Sequence, residues 1–381
     1  MIKLTDLQLD KNDDSNNIYL KLKEFIDNYC NQDHNQILIK KFSKILNISE
    51  SAINLKFKRC LYNDFDPPLR KFKKNFKVIR LLKNFLLFTC ITIFVKIFGK
   101  KKFKKKYYDL MIDEVDNLRQ LNKFNKLLNK FDKVLVSTKN KEVFKQCKNR
   151  KIDVIKNNRI LPSKNYLENN FFNLIFFFFK ILKLSMKAKE NYFDIYFIIF
   201  FSLIKNESFF YQVYPKIILQ DRFYINCSIK NFVFKKNGGK KTICCQYHIA
   251  ESGICFYADF DILFSFGEEQ NSIKKLKTFG SNVEKSIPVG SLQMESEYYN
   301  FKEYKQNLED TDLLIIGINP SHAMQISKKV FDSYYIFLNW IVKFESLNPH
   351  IRITYKHHTN YKGDKIKNKI FKNSKIKILK A

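Results

Sequence analysis

Apolar positions fall into runs whose period changes along the 381-residue chain. Residues 18–29 (IYLKLKEFIDNY) and 37–46 (ILIKKFSKIL) carry apolar side chains at helical spacing, and Pro67-Pro68 ends that pattern. Residues 1–79 therefore read as a helical extension without visible chemistry. The next run, 85–95 (FLLFTCITIFV), has no charge and is apolar all round, as in a helix buried in a core or in lipid. Lys71, Lys73, Lys74, Lys77, Arg80 and Lys83 precede it, and 100–106 (KKKFKKK) follows. A spanning helix needs about 17–25 apolar residues, more than this run supplies. Segment 80–106 is therefore expected to lie against an anionic leaflet as an interfacial or re-entrant anchor on the cytoplasmic face of the membrane; the plainer reading is a buried core helix with solvated basic ends.

From residue 107 the period shortens. Runs at 108–113 (YDLMID), 133–137 (KVLVS), 152–155 (IDVI), 216–219 (KIIL), 241–246 (KTICCQ), 261–266 (DILFSF) and 286–289 (SIPV) read as strands with helical segments between them. Two of those helices, 166–186 and 192–204, are rich in Phe and read as core helices. After a polar linker, 313–318 (LLIIGI), 352–356 (RITYK) and 375–379 (KIKIL) open a second strand series. Strand–helix alternation predicts parallel sheets with crossover helices. The expected lobes are 107–294 and 310–381. Gly99 is the only glycine before Gly238, so the last third is expected to be turn-dense α/β and the first 100 residues mostly helical.

The formal charge of +32 invites a nucleic-acid reading. Only eight of the 69 basic residues are Arg, the side chain that reads bases and clamps phosphate bidentately. Lys, Asn, Ile and Phe are abundant together, as an A/T-rich coding sequence makes them. The basic residues are dispersed and no RNA-module signature is present, so no nucleic-acid partner is expected. The eight cysteines show no C-x-x-C spacing, which argues for reduced thiols in the cytoplasm and against a zinc site.

Candidate chemistry sits where strands end, because open α/β sheets bind ligands beyond their carboxyl edges. His248 and Glu251 follow KTICCQ, and Gly267, Glu268 and Glu269 follow DILFSF. Gly290 and Ser291 follow SIPV, Asn319 follows LLIIGI, and His357 and His358 follow Lys356. Each has a plainer reading: Gly267 and Gly290 as turn glycines, His248 as a hydrogen-bonding partner, Glu268 and Glu269 as the acidic start of a helix. Adjacent strand residues face opposite ways, so His357 and His358 do not share a metal ion. No phosphate-binding P-loop, G-x-G-x-x-G, H-E-x-x-H or G-x-S-x-G is present.

The stretches KTICCQYHIAESG, FDILFSFGEEQ and IPVGS resemble the end of the N-terminal lobe of GT-B-type glycosyltransferases of bacterial surface-polysaccharide assembly, relatives of the CDP-glycerol glycerophosphotransferases among them. ITYKHHTNYKGD resembles the K-x-H-P turn of their second lobe, with Thr359 where proline is usual. The resemblance implies an α/β, GT-B-like fold: one complete Rossmann-like lobe, a partial second lobe and the helical extension. It implies transfer of a sugar or polyol phosphate from a nucleotide-activated donor to a lipid-linked or glycan acceptor. No separate cofactor is implied. His248 and Glu251 would be the catalytic pair on the acceptor side, with His248 as general base and Gly267 and Glu268 lining the cleft. Gly290, Ser291, Asn319, Lys356, His357 and His358 would approach the donor. Such a second lobe normally continues past this turn, so the chain, stopping at Ala381, is expected to hold an incomplete donor site. The alternative is a non-catalytic basic protein that binds RNA or anionic membranes.

Overall fold

A computed structural model describes residues 2–9, 15–66, 71–72, 77–99, 106–156, 170–221, 227–246, 256–267, 270–292, 311–317, 328–356 and 365–379. The chain divides into two compact units, Met1–Phe65 with Lys71–Ser296, and Asp66–Arg70 with Glu297–Ala381. Four helices open the first: α1 (Ser15–Cys30), α2 (Asp33–Leu46), α3 (Glu50–Asp64) and α4 (Val78–Phe98). The α2 helix stops at Asn47, which takes the left-handed conformation (φ 50°) suited to Asn and bonds back to the Ser43 carbonyl. Polar contacts tie α1–α3 to distant parts of the unit. Tyr29 donates to Glu190 Oε2 (2.6 Å), Ser228 Oγ donates to the Ala52 carbonyl (2.7 Å), and Arg59 donates to the Phe256 carbonyl. The sequence pattern set residues 1–79 apart; the structure buries α1–α3 in one cluster with the lobe that follows.

Seven strands make one fully parallel sheet: β1 (Lys106–Asp113), β2 (Val134–Thr138), β3 (Asp153–Lys156), β4 (Val213–Gln220), β5 (Lys241–Cys245), β6 (Asp259–Ser265) and β7 (Asn282–Pro288). Their spatial order is β3-β2-β1-β4-β5-β6-β7. The inner strands are buried on both faces, which accounts for continuous apolar runs such as LMI and VLV where alternation would mark a half-exposed strand. The β7 edge is polar (NVEKSIP) and mostly exposed, and the sequence pattern caught only its apolar end. On one face pack α5 (Leu118–Lys123), α6 (Asn125–Leu128) and α7 (Lys141–Asn149), with Leu121, Phe124, Val143 and Cys147 buried against β1, β2, β4 and β5. Asn117 and Asn140 cap α5 and α7 by accepting from backbone N–H groups of the first turn.

The other face is built from α8 (Phe171–Ala188), α9 (Tyr192–Gln212) and α10 (Ser228–Lys236), with α11 (Gln270–Thr278) beside the β6–β7 edge. The α9 helix runs two turns past its expected end and is buried on most sides. The α4 and α8 helices lie on it through a phenylalanine cluster. Phe88 stacks on Phe178 with ring centroids 4.0 Å apart and meets Phe200 at 5.4 Å, while Phe42 stacks on Phe177 at 4.8 Å. Such ring pairs add about 0.5–1.5 kcal/mol each to their area burial. The α4 helix spans 21 residues, longer than its uncharged run, because Val78, Ile79, Leu81 and Leu82 extend the apolar pattern around Arg80. Arg80 Nε pairs with Asp194 (2.9 Å), and Asn84 donates to the same carboxylate (2.7 Å).

Among the described residues the second unit carries three parallel strands in chain order, β8 (Leu313–Ile316), β9 (Ile353–Lys356) and β10 (Lys377–Leu379). The crossovers contain α12 (Lys328–Leu347) and α13 (Lys365–Ile370). Tyr334, Leu338 and Ile341 of α12 pack on Ile315, Ile353 and Tyr355. Arg352 forks onto Asp312 with two 3.1 Å bonds, tying the starts of β8 and β9 together; its hydrogen bonds draw the Asp312 carboxyl down to about 2.

Replacing Phe178 by Ala removes the ring at the centre of this cluster. The expected cost is about 3–5 kcal/mol, read from the shift in denaturant midpoint.

Candidate site at the sheet switch point

Chain order in the first sheet reverses at one place. After β1 the chain winds outward to β2 and β3, then α8 and α9 carry it back so that β4 pairs with the other side of β1. A crevice beyond the carboxyl ends of β1 and β4 is the ligand position that such a reversal creates. The last residues of these strands, Asp113 and Gln220, are direct partners across the ladder.

The Asp113 carboxylate is the centre of a buried polar group. It is 1% exposed and accepts from Ser137 Oγ (2.8 Å), Gln220 Nε2 (3.1 Å) and Lys230 Nζ of α10. Glu114 follows with φ of 53°, a left-handed conformation uncommon for a side chain of its size. Its N–H donates to Ser137 Oγ (2.8 Å), and its carboxylate lies 4.0 Å from Lys230 Nζ. At the end of β4, Asp221 pairs with Lys123 of α5, both nearly buried. Asp221 Oδ2 is buried without a hydrogen-bond partner among the described residues.

Burial alone would raise the Asp113 carboxyl. The Lys230 charge and the three donors outweigh it, so the carboxyl is held below its ordinary value. Lys230 is likewise raised despite its burial, chiefly by Asp113 and then Glu114. Half-buried Lys205 of α9 is lowered: burial disfavours its charge, and Lys230 and Lys139 add repulsion that Glu114 and Asp113 only partly offset. Two ion pairs and a further ammonium thus converge at the switch point. The Asp113 carboxylate and the Lys230 ammonium each hold the other ionised in the interior.

Of the residues chosen from sequence, Gly267, Gly290 and Ser291 follow the carboxyl ends of β6 and β7 in the first sheet. Gly267 follows the end of β6, and a side chain there would meet open space. Gly290 follows β7 in the left-handed conformation (φ 73°), also facing open space, with Ser291 beside it. Lys356 is the exposed last residue of β9 in the second unit. His248, Glu251, Glu268, Asn319, His357 and His358 lie outside the described residues. Gln246, one residue past β5, accepts from the Phe266 N–H (2.9 Å) and holds the ends of β5 and β6 level. Among the described residues no three His, Cys, Asp or Glu side chains gather as metal ligands would.

The Asp113–Lys230 pair escaped the sequence reading. Asp113 was visible as the end of YDLMID, but its partner lies 117 positions on and becomes a neighbour only through the sheet order. A carboxylate closing an apolar strand run was the available signal.

An all-parallel, doubly wound sheet with a charged switch point defines the general Rossmann-like α/β class, in which nucleotide-binding and transferase folds are found. No protein-family model matches the chain, and no curated protein matches it by sequence.

Lys230→Met leaves the Asp113 carboxylate buried without its counter-charge. Near neutral pH this is expected to cost about 3–5 kcal/mol. Because the folded-state pKa of Asp113 is depressed, its stabilising contribution is present above the unfolded value near about 4 and is lost as pH falls through the depressed value. The gap in denaturation midpoint between wild type and Lys230→Met should therefore narrow on acidification. A gap that stays constant down to acid pH would contradict the pairing.

Proposed function

We propose that this chain is a GT-B-type transferase of cell-surface polysaccharide assembly. It would move a sugar or polyol phosphate from a nucleotide-activated donor to a lipid-linked or glycan acceptor. The observation that carries this reading is the order β3-β2-β1-β4-β5-β6-β7 with its charged switch point, followed in the chain by a second parallel α/β unit. The strand-end stretches that resemble this family fall at the carboxyl edges of β5, β6 and β7 and of β9.

In this reading the first unit takes the acceptor. His248 removes the proton from the acceptor hydroxyl; an imidazole with an ordinary pKa near 6.5 suits a base at neutral pH. The acceptor oxygen then bonds to the activated carbon or phosphorus as the bond to the nucleotide phosphate breaks. Lys356, with His357 or His358, neutralises the charge on the departing phosphate. Gly290 lets backbone approach the donor without a side chain in the way. The Asp113–Lys230 group shapes the polar floor on the acceptor side.

Saturation-transfer NMR against a panel of nucleotide-activated sugars and polyols tests donor binding, and product mass spectrometry tests transfer. Lys356→Ala should weaken donor binding by about tenfold. His248→Ala should keep donor binding and lose at least about 100-fold in transfer. Absence of binding to every donor, together with a steep salt dependence of RNA binding, would replace this reading by that of a basic RNA-binding protein.

A further inference from the structure

The α4 helix is apolar on both of its sides. Its inner stripe, Leu81, Phe88, Thr92 and Val95, is buried on α8 and α9. Ile79, Leu82, Leu86, Cys90, Ile93 and Ile97 recur at three- and four-residue steps on the opposite side, and all six are exposed. Ile79 is 84% accessible, Leu86 65% and Ile97 63%. An ordinary surface helix presents polar residues there.

The neighbouring α8 repeats the arrangement. Leu174, Phe177, Phe178 and Ile181 face the core, while Phe172 and Phe176 stand 69% and 70% exposed. The two outer faces adjoin. Phe85 of α4 and Phe179 of α8 have ring centroids 5.0 Å apart, and the Lys96 ammonium lies 3.9 Å from the Phe171 ring centroid and 5.5 Å from that of Phe172. Together the two helices form one apolar surface, far more than scattered exposed side chains make.

We propose that this two-helix surface docks the protein in the plane of an anionic lipid bilayer, with α4 lying in the interface rather than crossing it. Charge selects the occupant. Between Asp66 and Asp109 the chain has 14 Lys or Arg and no Asp or Glu. Lys180, Lys183 and Lys187 are exposed on α8, which carries no acidic residue. An apolar face bordered by lysine matches acyl chains under acidic headgroups. It does not match a second copy of this face, whose lysines would oppose these.

Packing selects the orientation. The α4 helix is long and apolar enough to cross a membrane. Crossing would strip Phe88 from Phe178, Phe193 and Phe200 and separate Arg80 and Asn84 from Asp194. Lying flat keeps these contacts and immerses only the outer stripe. The inference stands apart from the transfer chemistry and holds whatever the switch point binds.

Cys90 sits in the middle of the outer stripe and reports its depth. The full chain, with Cys227 and Cys255 replaced by Ser and Cys90 carrying an environment-sensitive fluorophore, is mixed with vesicles of phosphatidylglycerol and phosphatidylcholine. Binding should appear as a blue shift that is lost in pure phosphatidylcholine and weakened by salt. Quenching should be stronger from a nitroxide near the headgroup than from one near the chain terminus. Leu86→Asp with Ile93→Asp, and separately Phe172→Asp with Phe176→Asp, change only exposed positions. Each pair should lower co-sedimentation by at least about tenfold. Stronger quenching at the midplane would overturn the in-plane orientation. Vesicle-independent shielding of Cys90 with dimer formation, or unchanged sedimentation of both double variants, would overturn lipid as the occupant.

Discussion

A parallel sheet has no face that can be left in water, and this requirement organises the first unit. Crossover helices α9, α10 and α11 lie against one side of the seven-stranded sheet. Helices α2, α3 and α4 pack in turn on α8, α9 and α10 as an outer layer. That is why one buried cluster runs from Ile18 to Tyr257. The Phe88–Phe178 stack follows from the same need. Two helices stacked outside α9 must find large, flat apolar partners, and phenylalanine offers much area for little lost rotamer freedom.

The same topology creates the charged centre. Returning the chain to the far side of β1 sets the end of β4 beside Asp113 and brings the first turn of α10 over it. The charges on Asp113 and Lys230 come from elements that share no local sequence, and each is tolerable in the interior only because the other is present. Ser137 contributes through β2 and Gln220 through β4, so all three strands nearest the reversal hold one carboxylate. A group fixed from so many directions has little freedom to rearrange.

Much of this was legible in the sequence. Strands β1 to β6 stood out because buried parallel strands are continuous apolar runs bounded by charge, and the Phe-rich helices because their length exceeds any strand. Less legible was whatever depends on which elements become neighbours. The α3 helix has weak periodicity, and the polar start of β7 looks like loop because an edge strand need bury only one end. Phe172 and Phe176 could not be told from Phe177 and Phe178 in the run FFNLIFFFF; exposure follows from which side of α8 meets α9. The glycines after β6 and β7 were readable as turn residues, while the Asp113–Lys230 pairing needed the sheet order.

The spacing of α4 from its partners has a kinetic side. Phe98 and Phe171 are 73 positions apart, so α4 is synthesised well before α8 or α9 exists to cover its inner stripe. Closing the β1–β4 ladder, across 107 positions between Asp113 and Gln220, comes later still. Long-range parallel pairing is slow to form and leaves intermediates open to aggregation. During that interval the nascent chain displays an apolar helix with dense basic flanks. Until α8 and α9 follow, Phe88 and its neighbours have nothing of this chain to pack on, so the order of synthesis makes this segment the one most in need of a shield.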